Sequence, residues 1–255
     1  MPDLDLCNMM CANFVDYVLE KEGDVAALVA EPIRSIPYIP PPGFWKQVRK
    51  ACDRHGTVLI FDEIPNGLGK TGRMFACEHD DVVPDILVLG KALGGGVVPI
   101  AAVITHSSLD IMSDVAIGHY THEKNPFSCQ AALTTLEIIE NEGLVENAQK
   151  VGKYALECLQ ELKQRHPIVG DVRGLGLVLG IDLVADPETK EPATEFADRV
   201  LYECLNRGLS FKTTMGSVIT LTPPLTVTVE EIDCAIAILD EVITNVAREG
   251  ETDVG

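Results

Sequence analysis

The sequence predicts an α/β protein: a mostly parallel sheet alternating with helices, followed by a smaller α+β domain. Three observations carry this reading. Two short runs of β-branched and aliphatic residues, 57–61 and 85–90, end in reactive side chains, the first at Asp62-Glu63 and the second at Lys91. Runs of that length bounded by turn signals are how strands buried on both faces read. Helix-period stretches separate such runs in the first half, as parallel crossovers require. Beyond about residue 140 the pattern shifts to apolar alternation joined at glycine, which suits antiparallel pairing. The expected domains are therefore residues 1–139 and residues 140–255.

In chain order, apolar residues at three- and four-residue steps predict a helix over 8–22, closed by Gly23. A buried strand over 25–30 follows and finishes at Glu31-Pro32, another carboxylate at a strand end. The stretch 37–43, with four prolines and a glycine, is a stiff loop. Helix returns over 44–55, leading into the strand that ends at Asp62. After the Lys91 strand, residues 99–105 read as a strand and 109–113 as a short helix. Helices are expected over 128–139 and 144–165. The runs 168–173 and 175–184, joined at Gly174, read as an antiparallel pair, followed by a helix over 195–206, a strand over 217–221 and a final helix over 229–248.

Nearly half of the 255 residues are hydrophobic, enough for a substantial core. No apolar run approaches the roughly 20 residues that span a bilayer, and the first residues lack a signal-peptide pattern, so the expectation is a cytoplasmic protein without a membrane partner. A formal net charge of −19 argues against a nucleic-acid surface, which needs clustered Lys and Arg. It leaves room for a small anion at a local basic site, with Arg34, Lys70, Arg73, Lys124 and Lys212 as candidates. Eight cysteines are scattered without a CxxC pair and read as reduced thiols rather than zinc ligands.

Gly67-Leu68-Gly69-Lys70-Thr71-Gly72 formally satisfies GxGxxG. A dinucleotide site would need a helix opening at Gly72 and an acidic residue ending the next strand. Residues 73–84 are too short and broken for that helix, and the next strand ends in Lys91. The segment fails the phosphate-loop pattern too, because the required earlier glycine falls at Ile64. These glycines are expected to shape a loop at the carboxyl edge of the sheet. His119 and His122 have three readings: a metal pair, a catalytic base, or an ordinary surface loop. No third ligand is evident, so no metal site is expected.

At this point the sequence resembles the class III, or ω-, aminotransferases, a branch of the fold-type I pyridoxal-phosphate (PLP) enzymes. The resemblance runs through residues 25–32, Pro41-Pro42-Gly43-Phe44, residues 52–56, Leu59-Ile60-Phe61-Asp62-Glu63, residues 67–72, Pro84-Asp85-Ile86, residues 90–96, Asn125-Pro126, Arg173-Gly174-Leu175-Gly176 and Pro223-Pro224-Leu225. Each motif alone is weak; their order and the Asp-to-Lys spacing make the signal specific. The resemblance implies a fold-type I large domain, here incomplete, with a small C-terminal domain. It implies that Lys91 holds PLP as an imine and moves protons, and that Asp62 faces the ring nitrogen so that the ring acts as an electron sink. Glu31 is a further expected cofactor-binding residue. Thr121, four residues before Asn125-Pro126, matches the threonine that reaches the phosphate in the neighbouring subunit. A homodimer with shared sites is implied, acting on an amino donor and a keto acid.

Several departures from the family pattern bear on the substrate. Pro65 stands where the family commonly has a glutamine touching the cofactor's phenolic oxygen. Thr220 stands where many members carry an arginine that grips the substrate carboxylate. The glycine and glutamate after Glu-Pro are replaced within Arg34-Ser35-Ile36-Pro37-Tyr38. Arg34 or Lys212 is therefore expected to meet an anionic substrate group. The leading expectation is an aminotransferase. A lyase or epimerase acting on a phosphate- or phosphonate-bearing amino compound is the alternative, and a catalytically inactive fragment a third. Relative to the family the chain looks shortened at its N-terminus, where members cradle the cofactor phosphate on a helix start. The isolated chain is accordingly expected to bind PLP poorly.

Overall fold

The computed structural model describes residues 7–112, 114–115, 121 and 125–252, with side chains through Glu249. The chain divides into two compact units. The first takes the chain up to Arg34, then Ile39–Gly69 and Arg73–Leu144; the second holds Ser35–Tyr38, Lys70–Gly72 and Val145–Gly255.

The first unit is built on a four-stranded sheet in the order β1-β2-β3-β4, from Ala27–Ala30, Val58–Asp62, Ile86–Leu89 and Ala102–Thr105. The first three strands are parallel and β4 runs antiparallel to β3. Helix α2 (Phe44–His55) follows its sequence pattern: Trp45, Val48, Ala51 and Cys52 are buried at helical steps, and Gly56, at φ 68°, closes the helix in the left-handed conformation. The Trp45 ring packs edge-on against Phe61 of β2 at 4.8 Å between centroids. Asp85 fixes the strand register by accepting from the Leu59 amide and from Arg49 Nη1, each at 2.7 Å.

Three elements of this unit differ from expectation. Helix α1 (Met10–Glu22) forms and ends at Gly23, but only part of its apolar pattern is buried. Met10, Phe14 and Tyr17 are exposed, while Ala12 and Leu19 are buried. Polar pairs hold α1 to α2 instead: Asp16 accepts from Arg54 and pairs with His55 Nε2 at 2.9 Å. The second concerns β1, which among the described residues pairs only with β2 and so forms a sheet edge, and its Val29 is 66% exposed. A strand buried on both faces reads the same in sequence as an apolar edge strand with one open face. The short helix expected at 109–113 lies earlier, as a 3-10 turn at Ser107–Leu109. Residues 73–84 carry only the 3-10 helix Ala76–Asp80, and α3 (Pro126–Asn141) begins at the Asn125 cap, whose side chain accepts from the Phe127 amide.

The second unit packs helices on an antiparallel sheet ordered β5-β6-β8-β7, from Val169–Leu175, Val178–Leu183, Val218–Leu221 and Lys212–Thr214. Helix α4 (Leu144–Arg165) buries Ala148, Val151, Ala155, Leu159 and Leu162 along one stripe. These meet Leu179, Ile181 and Ile219 of the sheet together with α5 (Thr194–Asn206) and α6 (Val229–Thr252). The β5–β6 hairpin turns at Gly176, not at Gly174. Gly176 has φ 56°, and a Cβ there would lie 2.3 Å from the Thr71 carbonyl carbon. Residues 70–72 thus interlock with this unit, and the Leu177 amide donates to the Lys70 carbonyl at 2.9 Å.

Candidate active site

Three parallel strands bring their carboxyl ends to one edge of the first sheet. The register pairs Ala30 with Phe61, so Glu31 and Asp62 leave their strands at the same level; Asp62 pairs in turn with Val88, three residues before Lys91. Adjacent strands lie ~4.8 Å apart, so the edge gathers two carboxylates and an amine. That is the crevice position at which open α/β sheets bind ligands.

The backbone at Lys91 is unusual. Gly90 is extended, and Lys91 then adopts φ 42°, in the left-handed region, before starting the 3-10 helix Lys91–Gly94. For a residue with a Cβ this conformation costs about 1–2 kcal/mol, and such strain persists where the surroundings hold it for a purpose. The Lys91 side chain is exposed and borders an open hollow of about 520 Å³ with Pro99, Ile100 and Ala101.

The two carboxylates are only partly satisfied. Asp62 Oδ1 accepts from the Ile64 amide at 2.9 Å, and no cationic side chain pairs with Asp62 among the described residues. Glu31 Oε2 is buried without a hydrogen-bond partner. Such an acceptor carries a desolvation cost that a donor on a bound group would relieve. The turn that presents Glu31 is fixed from below: Trp45 Nε1 donates to the Pro32 carbonyl at 2.7 Å, and the buried Asn66 amide donates to the Ile33 carbonyl.

Glu63, next to Asp62, does different work. It is 1% exposed, and its two carboxylate oxygens accept from the Ala76 and Cys77 amides, each at 2.8 Å. Burial pushes its carboxyl up, against the pull of those two amides. Glu63 therefore closes the 64–75 loop rather than facing the sheet edge. Nothing in the sequence marked this, because its partners are backbone amides.

Arg34 is exposed just past the Pro32 turn in the first unit, and Lys212 is exposed at the start of β7 in the second. Lys212 pairs across the strands with Thr220, and both line a cleft of about 390 Å³ with Leu209, Phe211 and Leu221. Thr220 is 2% exposed and its hydroxyl shares a hydrogen bond of 2.9 Å with Thr214. Lys70 donates to the carbonyls of Thr222 and Pro223, and burial lowers its amine to about 8. Thr121 is an exposed turn residue, whereas His119, His122 and Lys124 lie outside the described residues. Among the described residues no group of three or more His, Cys, Asp or Glu side chains could hold a metal ion, and no helix is long and apolar enough to cross a membrane.

A mixed, mostly parallel sheet with this edge, followed by an antiparallel α+β unit, is the fold of the fold-type I aminotransferases. The chain belongs to the class-III aminotransferase family, whose profile matches residues 3–243. An aminotransferase structure from Bacillus anthracis superposes with a TM-score of 0.88 at 35% identity, covering 96% of this chain and 59% of that one. Ornithine aminotransferase from Toxoplasma gondii, in which PLP partially occupies the active site, superposes at 0.85 with 31% identity, covering 93% and 55%.

Among curated relatives, the (R)-1-hydroxy-2-aminoethylphosphonate ammonia-lyase of Vibrio splendidus is 44% identical over 96% of this chain and 51% of its own length. The leucine/methionine racemase of Thermococcus litoralis is 40% identical over 94% and 55%. The chain spans about half the length of the curated relatives it matches.

Proposed function

We propose that this chain carries the lysine and the sheet-edge carboxylates of a PLP-dependent enzyme that acts on a primary amine bearing an anionic group. The observation that carries this is the placement of Asp62 and Lys91 at the carboxyl ends of neighbouring parallel strands, with Lys91 in a left-handed backbone. When bound, PLP supplies an electron sink for negative charge developing at the amine-bearing carbon. Asp62, free of any cationic partner among the described residues, suits a protonated ring nitrogen. Glu31 offers an unsatisfied buried acceptor to the same group. Lys91 is exposed at the edge, so its amine can hold the cofactor covalently and carry a proton to or from the substrate carbon once released. Thr121 is assigned to the cofactor phosphate of a partner subunit in a homodimer.

Within this class we favour elimination of ammonia over transfer to a keto acid. The position that commonly carries a carboxylate-gripping arginine is Thr220, whose hydroxyl is already engaged by Thr214. Two cations are proposed for the anionic group instead: Lys212, directly opposite Thr220 across the strands, or Arg34, exposed past the Pro32 turn. The lyase that is 44% identical acts on an aminophosphonate, whose anionic group either cation would meet. Amino transfer is the second reading, supported by the family's own description and by ornithine aminotransferase 1 of Staphylococcus aureus, 38% identical over 87% of this chain. The test is stoichiometric. A lyase releases ammonia from an aminophosphonate with a hydroxyl beside its amine-bearing carbon, the hydroxyl leaving as water and one water returning to give an aldehyde, with no keto acid present, whereas a transaminase consumes one keto acid per turnover and stalls without it.

A further inference from the structure

Arg173 lies in β5 and is 7% exposed. Its Nε donates to the Pro37 carbonyl at 3.0 Å, and its Nη1 donates to Asp171 Oδ2 at 2.8 Å and to Asp182 Oδ2 at 3.4 Å. The guanidinium carbon sits 5.1 Å from the centre of the Tyr38 ring, within cation–π range. Asp182 is held in turn by the Ser217 hydroxyl at 3.2 Å. On the other side Pro37 presses against Gly180, where any Cβ would lie 2.8 Å from Pro37 Cγ. One arginine thus fixes Ser35–Tyr38 to the second unit, although the chain before and after those residues belongs to the first. The residue immediately before the clamped segment is Arg34.

We infer that Arg173 is a positioning residue: by clamping Pro37 and Tyr38 it fixes the backbone from which Arg34 meets the anionic group of the substrate. The inference rests on the proposed role of Arg34. The geometry asks for arginine specifically. A lysine at 173 keeps a charge for Asp171 and Asp182, but its single nitrogen cannot also reach the Pro37 carbonyl, and it has no planar face to lay against Tyr38. Loss of the clamp frees the segment without removing any group that touches substrate.

The experiment compares Arg173→Lys, Tyr38→Leu and Arg34→Ala with the parent protein. Trypsin cleavage after Arg34 is expected to run about tenfold faster in Arg173→Lys, the equivalent of one charge-assisted hydrogen bond, with cleavage elsewhere unchanged. In the PLP-loaded protein the ratio of kcat/KM for ammonia release from 1-hydroxy-2-aminoethylphosphonate to that from the neutral 1-amino-2-propanol, each with a hydroxyl that can leave as water, should fall about tenfold in Arg173→Lys, as in Arg34→Ala. Tyr38→Leu, which leaves the buried charge network intact, should move both readouts the same way by a smaller factor, and it serves if Arg173→Lys does not fold. Equal losses on the charged and the neutral amine would mark Arg173 as merely structural and overturn the inference. Unchanged cleavage after Arg34 would overturn it as well. A lowered ratio in Arg34→Ala with none in Arg173→Lys defeats the positioning role alone, while a neutral Arg34→Ala removes the role of Arg34 and this inference with it.

Discussion

Lys212 and Thr220 are cross-strand partners in the β7–β8 ladder, and side chains directly opposite on antiparallel strands share a face. That relationship places an exposed ammonium beside Thr220, the position proposed to stand in for a carboxylate-gripping arginine. Lys212→Ala should raise the KM for an anionic amine roughly 10- to 100-fold, the range for a hydrogen bond to a charged group. The KM for a neutral amine should stay within about twofold. Steady-state kinetics on the matched pair of amines checks this, and equal effects on both would remove Lys212 from substrate recognition.

Lys70 gives an alkaline signature. Burial lowers its amine from 10.5 to about 8, so between these values the unfolded chain binds more protons than the folded one. Stability contributed by this group therefore rises as pH rises through that window and is lost as pH falls through about 8. Lys70→Met should flatten the rise. Urea midpoints measured by circular dichroism across the window are the check, and a parallel rise in the variant would assign the effect to other groups.

Asp240 gives the acid counterpart. Burial opposes its ionisation, but the bonds from His166 and Arg165 outweigh that and hold its carboxyl below the ordinary value. A depressed carboxylate contributes stability above its unfolded value and loses it as pH falls through the folded one. Asp240→Asn should lower the urea midpoint at neutral pH, and the gap to the parent protein should shrink as pH falls below the ordinary carboxylate range. An equal loss throughout would show that packing, not charge, is what the substitution removes.

Much of this fold was legible because its periodicities are local. Helices α2 and α4 fall where their apolar spacing put them, since each buries one continuous stripe. The hairpin at 169–183 was legible as antiparallel, yet Gly174 is a strand residue opposite Leu179 and the turn comes at Gly176. A glycine required by close packing and one required by a turn look alike in sequence. Strand β7 is three residues long, too short for alternation to register, so the pairing of Lys212 with Thr220 was not readable. At the sheet edge, Asp62 and Lys91 were visible as charges ending apolar runs. The clamp made by Glu63 was not, because backbone amides leave no sequence trace.

The most direct test of the Lys91 assignment is borohydride trapping. The protein is incubated with PLP, reduced and mapped by peptide mass spectrometry. Reduction makes each imine permanent, so even weak PLP binding is recorded, and the account predicts a pyridoxyl group on Lys91 in preference to the other lysines, and its disappearance from that peptide in Lys91→Ala with no compensating site. Labelling spread evenly over surface lysines, or undiminished total labelling in Lys91→Ala, would contradict it.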